Sequence, residues 1–560
     1  MSTGKKDSWR KKKFDLALRL LLGVAAVCGA NVGAAISAET PVVVTKDGPV
    51  KGFECTSASV PGCSGSGVEE FLGIPYAIPP VGALRWTPPR PHGAWRGVFD
   101  ATKFGSVCTQ GDTNGGTAGS EDCLTLNVFR PGQHNADDHG NHQDRDERLP
   151  IMVWIHGGAF LADASPDYDP TPLVEQGVIV VTTNYRLGYL GFFAHPALDA
   201  EGHLNANYGL MDQQLALKWV QRNIAAFGGD PSRVTIFGQS AGGISVYAHL
   251  ASPAASGLFH RAIAESGTPT LFQNVDTVPL LVDAERKGIA IAANVGCGNQ
   301  TAQCLRATPA AAIVSQQTDG LLPIMDGTVL PQTLNVALAS GHFNRVPVIS
   351  GVTHDEYRYI VAIHYDLVGH PLRDAEYAAA VSDLLKQDET APFLQLLINN
   401  RYPLSNYNAP ASTQRAPLAL GALGTDYQWA CGARNAARFL SEYVPTFAYE
   451  FNDPNAFSLR ANIPPISFPA GSAHGAELPY LFNLGLYVAP FTPDQRQLSE
   501  ATISYWTEFA KTGNPNSENT PPWPLYDSEA DQFQSLIPPT PTVKSNFDTD
   551  HQCSSLWNKQ

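Results

Sequence analysis

The sequence predicts an α/β fold in which a large, mostly parallel central sheet is flanked by helices. Strand-like apolar runs alternate with helical stretches along the chain, which is typical of a mixed sheet with helical connections. A helix is indicated from Leu210 to about Ala226, where Met211, Leu215 and Trp219 recur at a spacing of four and a Gly-Gly pair follows. At 43% hydrophobic, the 560 residues can bury a sizeable core.

The most informative turn of the chain carries Ser240. An apolar run at 233–237 leads into Gly238, and a helix-forming stretch follows from Ile244 to Leu250. A G-x-S-x-G pattern between a strand and a helix indicates a nucleophile elbow, whose serine adopts a sparsely allowed backbone conformation. Glycines two positions either side, Gly238 and Gly242, would avoid a clash there. An ordinary Gly/Ser turn is the alternative reading of the pattern.

A second glycine-rich turn lies upstream. The buried-strand run 149–155 ends in His156, Gly157 and Gly158. A strand that runs into such a loop can present backbone N–H groups to a developing oxyanion, whereas the alternative is a simple turn at the end of a strand. The position of this loop ahead of Ser240 favours an oxyanion hole.

Several other segments carry a family resemblance. They are residues 70–77, 79–82, 120–128, 157–160, 184–188, 207–213, 227–231 and the Ser240 turn with its lead-in. With these segments the chain resembles the type B carboxylesterases, the cholinesterase-like branch of the α/β-hydrolase fold, from about residue 40 to the C-terminus. The resemblance implies an α/β-hydrolase fold and a serine carboxylesterase that needs no metal or organic cofactor.

The resemblance also implies the catalytic partners of Ser240. Glu356, which follows a strand-like run at 346–350, corresponds to the acid, and His474 corresponds to the base. Their order, Ser then acid then His, is that of α/β-hydrolases. Asp355 competes for the role of the acid, since Tyr357 occupies a position at which the family has a small residue.

The expected oxyanion donors are the backbone N–H groups of Gly158, Ala159 and Ala241, with Ala159 in place of the family's common third glycine. A neutral serine hydroxyl needs a base to attack an ester carbonyl, so the expected reaction proceeds through an acyl-enzyme on Ser240.

Four neighbouring residues are not expected to take part directly in the chemistry. Ser266 matches a family segment and is interpreted as a hydrogen-bonding support, while His156 is expected to be structural. His354 and His364 lie near the predicted acid, but a lone histidine is more often a surface or core residue than a catalytic one.

The expected partner is a small-molecule ester. Residues 109–122 contain no aromatic residue and Gln239 stands where cholinesterases have an acid, and both differences argue against choline esters. General short-chain or aryl esters remain, with feruloyl-type esters, amides and carbamates as open alternatives. A non-catalytic binding module of the same fold is opposed by the intact Ser240, Glu356 and His474 set. The oligomeric state is not predicted.

The N-terminal segment is predicted to be a secretory signal. Basic residues between Lys5 and Lys13 precede a largely apolar stretch from Leu16 to Ile36, with a plausible cleavage point after Ala38. An uncleaved membrane anchor is the alternative. Residues 39–560 would then form a single catalytic domain that is secreted or periplasmic and has no membrane partner once the signal is removed.

The net charge of residues 39–560 agrees with an exported protein that has no membrane partner. Residues 1–38 hold seven of the 37 Lys and Arg residues and two of the 52 Asp and Glu residues, so the remainder has 30 basic and 50 acidic residues and a net charge of −20. A strongly acidic protein is a poor partner for nucleic acid or an anionic membrane.

The eight cysteines beyond Cys28 form an even set, as expected of a disulfide-bonded exported protein. Their number alone allows 105 pairings. The family resemblance implies the pairs Cys108–Cys123, Cys297–Cys304 and Cys431–Cys553, which leaves Cys55–Cys63 as a local extra pair. Residues 133–148 are rich in His and Asp but lack regular ligand spacing, so we expect a solvated loop rather than a metal site.

Overall fold

An eleven-stranded mixed sheet organises the part of the chain that the structure describes. The computed structural model describes residues 40–55, 67–112, 115–132, 148–203, 206–272, 275–276, 278–317, 320–408, 414–456, 465–484 and 490–557. The predicted signal at 1–38, Cys63 and almost all of the 133–148 loop lie outside these ranges.

The strands are β1 Val42–Thr45, β2 Gly48–Lys51, β3 Phe53–Cys55, β4 Val68–Pro75, β5 Phe99–Asp100, β6 Gln110–Gly111, β7 Thr117–Ala118, β8 Thr125–Pro131, β9 Leu149–Ile155, β10 Ile179–Thr183, β11 Gly229–Gln239, β12 Arg261–Glu265, β13 Thr270–Phe272, β14 Val275–Asp276, β15 Val348–Thr353, β16 Thr446–Phe451, β17 Phe533–Leu536 and β18 Thr542–Lys544. The large sheet has the order β18-β17-β16-β15-β12-β11-β9-β10-β8-β4-β3.

The centre of this sheet is parallel and its edges are antiparallel. Strands β10, β9, β11, β12, β15, β16 and β17 pair in parallel. Strands β18 on one edge and β8, β4 and β3 on the other pair antiparallel. This arrangement confirms the predicted mostly parallel sheet, and it brings the carboxyl ends of β11, β15 and β16 to one edge, where ligand sites of such sheets form.

Helices cover both faces of the sheet. They are α1 Thr171–Val174, α2 Gly188–Gly191, α3 Pro196–Asp199, α4 Tyr208–Asn223, α5 Ala241–Ala251, α6 Leu281–Asn294, α7 Ala302–Ala307, α8 Ala310–Val314, α9 Leu334–Ala339, α10 Tyr357–Val361, α11 Tyr377–Leu385, α12 Pro392–Leu396, α13 Ala416–Thr425, α14 Cys431–Ser441, α15 Pro493–Thr512 and α16 Phe547–Asp550. No helix in the described ranges is both long and apolar enough to cross a membrane.

The core has two layers because side chains alternate along each strand. In β9, Ile151, Val153 and Ile155 pack with apolar residues of α4, α5 and α14. Met152 and Trp154 point the other way and pack with residues of α15. A strand buried on both faces is apolar at every position, as the continuous run of β9 indicates.

Helix α4 begins two residues before its predicted start and ends earlier than predicted. A 3-10 turn at Ile224–Phe227 continues it, and Gly228 ends the run with a φ of 87°. Beside the helix start, Arg186 Nη2 lies 2.7 Å from Asp212 Oδ1, and both side chains are buried. This ion pair joins two of the segments that carry the family resemblance.

Disulfides and an ionic cluster hold the C-terminal segment. The structure contains Cys108–Cys123, Cys297–Cys304 and Cys431–Cys553, the three pairs that the resemblance implies. Next to the last pair, His551 contacts Asp426 through Nδ1 and Glu450 through Nε2, each at 2.6 Å. Burial lowers the pKa of His551, but the two carboxylates outweigh it and raise the pKa to about 10.

Candidate active site

Ser240 lies in the turn between β11 and α5. Its φ of 59° and ψ of −121° are unfavourable for a residue with a side chain. A hydrogen bond from its backbone N–H to the Glu265 carbonyl, at 2.9 Å, and one to its own carbonyl from Ile244 N, also at 2.9 Å, hold this conformation. The residue is only half-buried, so Ser240 is accessible from solvent.

Close backbone packing explains the two glycines of the elbow. A Cβ at Gly238 would lie 2.6 Å from the Ile155 carbonyl oxygen, and one at Gly242 would lie 1.9 Å from the same oxygen. Both distances are well inside van der Waals contact, so only glycine allows the elbow to pack against the end of β9. The clash within the turn that the sequence predicts is present as well, because a Cβ at Gly238 would lie 2.7 Å from the carbonyl carbon of Gly242.

The glycine-rich loop after β9 lies directly against Ser240. A Cβ at Gly157 would be 3.2 Å from Ser240 Cβ. Gly158 and Ala159 follow with φ values of 84° and 56°. In the described part of the chain no acceptor faces the N–H groups of Gly158, Ala159 or Ala241. Unpaired donors beside a serine, one of them at the start of α5, can stabilise an anion.

Glu356 and His474 form a buried pair. Glu356 follows β15 and is fixed by the backbone N–H of Thr353, which donates to Oε1 at 2.8 Å. Its Oε2 accepts a short hydrogen bond from His474 Nδ1. Burial lowers the pKa of His474, but the Glu356 carboxylate outweighs it and the pKa lies above the usual 6.5. The pairing leaves Nε2 as the nitrogen that can accept a proton.

Gln239, rather than Ser240, contacts the free nitrogen of His474. The amide nitrogen Nε2 of Gln239 lies 3.4 Å from His474 Nε2. Among the described residues, Ser240 Oγ makes no hydrogen bond to the imidazole. The structure therefore brings Glu356 and His474 together and places His474 beside the residue that precedes Ser240.

The competing residues have other contacts. Asp355 Oδ1 lies 2.9 Å from Arg358 Nη2, and its Oδ2 accepts from Ser472 N at 3.1 Å, whereas His474 Nδ1 pairs with Glu356. The His156 ring is buried and stacks on Tyr185 at 4.4 Å, as its structural interpretation requires. Ser266 Oγ donates to Glu477 Oε1 at 3.3 Å, which is the support predicted for it.

Two buried acids behind the imidazole were not predicted. Burial, with the Glu356 carboxylate as the second cause, raises the pKa of Glu477 to about 8. Burial, followed by the Glu477 carboxylate, raises the pKa of Glu265 to about 8. Burial and the nearby like charges thus favour the protonated form of these carboxyls, since like charges in an apolar setting cannot all ionise. Residue type alone gave no signal that these glutamates are buried.

Aromatic rings enclose His474 and were also missed. The ring centroid of Trp429 lies 5.5 Å from that of His474, and the Tyr359 ring stacks at 6.2 Å. These rings supply apolar surface beside the imidazole, and the stacked Tyr359 ring presents its face to it. Tyr359 follows the predicted acid by three positions, which is the only sequence signal that could have identified it.

Side chains that could ligate a metal lie close to the loop of Glu356. In the described ranges, His354, Glu450 and His551 each place a ligating atom within 4.8 Å of the other two. They face the C-terminal segment and none of them contacts Ser240 or His474.

Comparison with known proteins decides the family. A family model described as "Carboxylesterase family" matches residues 39–555. The chain belongs to the carboxylesterase family. Like other carboxylesterases it has the α/β-hydrolase fold, and the sheet and elbow described above are those of that fold.

Curated carboxylesterase relatives are similar over most of their length. Cocaine esterase of Homo sapiens is 35% identical over 528 residues, which cover 89% of this chain and 88% of the relative. Pyrethroid hydrolase Ces2e of Rattus norvegicus is 34% identical, covering 85% and 83%. Acylcarnitine hydrolase of Mus musculus is 34% identical, covering 85% and 84%. The protein is a carboxylic ester hydrolase.

Proposed function

We propose that the protein hydrolyses carboxylic esters through an acyl-enzyme on Ser240, with His474 as the base and Glu356 as the acid that orients it. The observation that carries this proposal is the buried Glu356–His474 pair, whose imidazole lies beside the residue that precedes an accessible, strained serine. In this geometry Glu356 selects the tautomer of His474 that carries its proton on Nδ1.

The reaction follows from these positions. His474 Nε2 takes the proton of the Ser240 hydroxyl as Oγ attacks the ester carbonyl. The N–H groups of Gly158, Ala159 and Ala241 receive the oxyanion, and each such donor contributes about 3 kcal/mol in comparable sites. His474 then gives its proton to the leaving alcohol. Water repeats the cycle on the acyl-enzyme and releases the carboxylic acid and free serine.

Gln239 has to move during this cycle. Its amide nitrogen lies 3.4 Å from His474 Nε2, the atom proposed to accept the proton of the serine hydroxyl. We infer that the resting enzyme holds this amide against the imidazole and that substrate entry shifts it, so that Ser240 Oγ can donate to Nε2. Catalytic hydrogen bonds often tighten only once substrate is bound.

The proposed substrates are uncharged esters with short acyl or aryl groups. Gln239 carries no charge and residues 109–122 carry no aromatic ring, so neither supplies an attraction for a quaternary ammonium group. Trp429 and Tyr359 provide apolar surface at the imidazole instead. The relatives are named for cocaine, pyrethroids and acylcarnitine, and the first two names favour hydrophobic esters for this protein as well.

We also propose that residues 1–38 are a secretory signal and that 39–560 form one catalytic domain outside the cytoplasm. The support is the sequence of the segment, together with three disulfides, which persist in oxidising compartments.

The deciding experiment is hydrolysis of p-nitrophenyl acetate and butyrate by the purified protein, with Ser240→Ala and His474→Ala in parallel. We expect turnover by the wild-type protein and a loss of at least about a thousandfold in each variant. A fluorophosphonate probe should label the wild-type protein and not Ser240→Ala. Retained turnover in either variant would refute the residue assignment, whereas faster hydrolysis of matched amides or carbamates would refute the substrate class alone.

A further inference from the structure

Two histidines and a glutamate converge where the acid loop meets the C-terminal segment. His354 follows β15, Glu450 belongs to β16 and His551 follows α16. One ligating atom of each lies within 4.8 Å of the other two. We propose that these three side chains form a binding site for a divalent transition metal ion, with Zn²⁺ as the best fit, since imidazole and carboxylate are ligands that zinc accepts.

The surroundings of both imidazoles are those of metal ligands. His354 Nδ1 lies 3.2 Å from Asp355 Oδ1, and His551 Nδ1 lies 2.6 Å from Asp426 Oδ1. A ligating histidine almost always donates its second ring N–H to a carboxylate or carbonyl, which fixes the ring and leaves the other nitrogen for the metal. In both residues the remaining nitrogen is Nε2.

His354 is the residue that a purely structural ion cluster does not explain. An ion pair between His551 and Glu450 is complete without it, because the His551 Nε2 proton already bonds Glu450 at 2.6 Å. Within the described ranges, His354 Nε2 has no hydrogen-bond partner, although its Nδ1 is held by a carboxylate. A supported imidazole with a free nitrogen at this position is expected of a ligand.

The dimensions allow an ion to bind after a small movement. Ligand atoms around a tetrahedral zinc ion lie about 3.4 Å apart, given bonds of about 2.0 to 2.1 Å. The spread of up to 4.8 Å requires one side chain to close in, and His551 Nε2 and Glu450 Oε1, which lie 2.6 Å apart, have to separate. The His354 side chain is 42% exposed, so it can move and also leaves an access route from solvent. A water molecule would complete the four ligands.

Metal binding would exchange a proton for the ion. Three carboxylates, those of Asp355, Asp426 and Glu450, surround the site. Arg358 pairs with Asp355, and Lys544 pairs with Glu450.

In the metal-free protein a proton on His551 Nε2 lies between the imidazole and Glu450. On binding, that proton leaves to solvent and the ion takes its place, with bonds to His551, Glu450 and His354. The bound ion would join the C-terminal segment to the loop of Glu356 without entering the ester reaction, so this proposal does not depend on the proposed function.

The test is a zinc titration of the full protein after dialysis against a chelator, monitored by competition with a chromophoric zinc indicator. We expect one saturable equivalent that His354→Ala and His354→Gln weaken at least about tenfold. The matched control is His370→Ala, whose imidazole is 45% exposed and contacts Glu376 at 3.1 Å, and it should bind like the wild-type protein. Cobalt bound at the same site should give visible bands of a four-coordinate ion that both His354 variants lose.

The histidines of residues 133–148 could bind zinc on their own, but that binding would be insensitive to changes at His354. Equal zinc stoichiometry and affinity in the wild-type protein and both His354 variants would therefore overturn the proposal. So would the absence of saturable binding by the wild-type protein. Because His354 is partly exposed, its variants are expected to fold, and retained hydrolysis of p-nitrophenyl butyrate verifies this in the same samples.

Discussion

Gln239 places its uncharged side chain beside Nε2 of the His474 imidazole. The groups that face this ring are Glu356 on Nδ1, Glu477 behind it, the rings of Trp429 and Tyr359, and the neutral amide of Gln239 at 3.4 Å from Nε2. Of these positions, only that of Gln239 adjoins the nitrogen that we propose accepts the proton of Ser240. A change of charge there should therefore act directly on the base.

We expect Gln239→Glu to move the acidic limb of the kcat/KM profile to higher pH by about one unit or more. A carboxylate near Nε2 stabilises the protonated imidazole and raises the pKa of His474, which already lies above 6.5. His474 accepts a proton only while neutral, so activity is lost as pH falls through this pKa. The measurement is the pH dependence of p-nitrophenyl butyrate hydrolysis, with Gln239→Met as the uncharged control. An unchanged limb in Gln239→Glu would show that residue 239 does not face the base in solution.

The backbone of Ser240 is strained, and this strain should be measurable as stability. Its φ of 59° and ψ of −121° are accessible to glycine but costly for a residue with a Cβ. We expect Ser240→Gly to exceed Ser240→Ala in free energy of unfolding by about 1 kcal/mol, because relief of strain outweighs the larger entropy of unfolded glycine. Both variants lack the hydroxyl, so urea unfolding isolates the backbone effect. Equal stability would mean that the turn relaxes without cost.

At the scale of elements, the Arg186–Asp212 pair connects helix α4 to the loop after β10. Asp212 accepts from the backbone N–H of Arg186 at 3.0 Å as well as from its guanidinium. Because both side chains are buried, removal of the carboxylate leaves an uncompensated charge inside the protein.

Asp212→Ala should therefore lower the free energy of unfolding by roughly 3–5 kcal/mol. The control is Asp283→Ala, which removes an exposed partner of Arg286 in α6 and should cost less than about 1 kcal/mol. Thermal unfolding of the two variants beside the wild-type protein provides the comparison. Similar losses in both would show that the Arg186 guanidinium finds another acceptor or water.

Local elements were predictable, whereas the surroundings of the imidazole were not. Strand β9 and the strand–turn–helix unit at Ser240 are encoded by neighbouring residues, so period and glycine placement suffice to identify them. The pairing of Glu356 with His474 was expected only by resemblance. The contact of Gln239, the burial of Glu477 and the approach of Trp429 depend on chain segments that meet only in the folded protein. No local pattern distinguishes a buried glutamate from the exposed majority.

At the scale of the whole molecule, the Cys431–Cys553 disulfide closes a loop with a sequence separation of 122, against 7 for Cys297–Cys304. A cross-link that closes a longer loop restricts the unfolded chain more strongly. Together with the contacts of His551, it holds the C-terminal segment against α14 and the carboxyl end of β16.

Replacing Cys431 and Cys553 with serine should lower the free energy of unfolding by about 2–5 kcal/mol, and more than the same replacement at Cys297 and Cys304. Unfolding under non-reducing conditions measures both losses. A larger loss from the short loop would indicate that native packing, rather than chain entropy, dominates the effect. The pairing Cys55–Cys63 and the signal at 1–38 remain predictions, since Cys63 and the signal lie outside the described residues.

Because the centre of the sheet is parallel, residues that meet at the site are far apart in the sequence. They are therefore synthesised at different times. Gln239 and His474 are separated by 235 positions, although their side chains touch. At a synthesis rate of about 5–20 residues per second, a ribosome that has just made the elbow needs roughly 10–50 s more to make the imidazole. A nascent chain thus carries Ser240 long before it carries the proposed base, and we expect hydrolytic activity to begin only once the C-terminal part of the protein has been synthesised and folded.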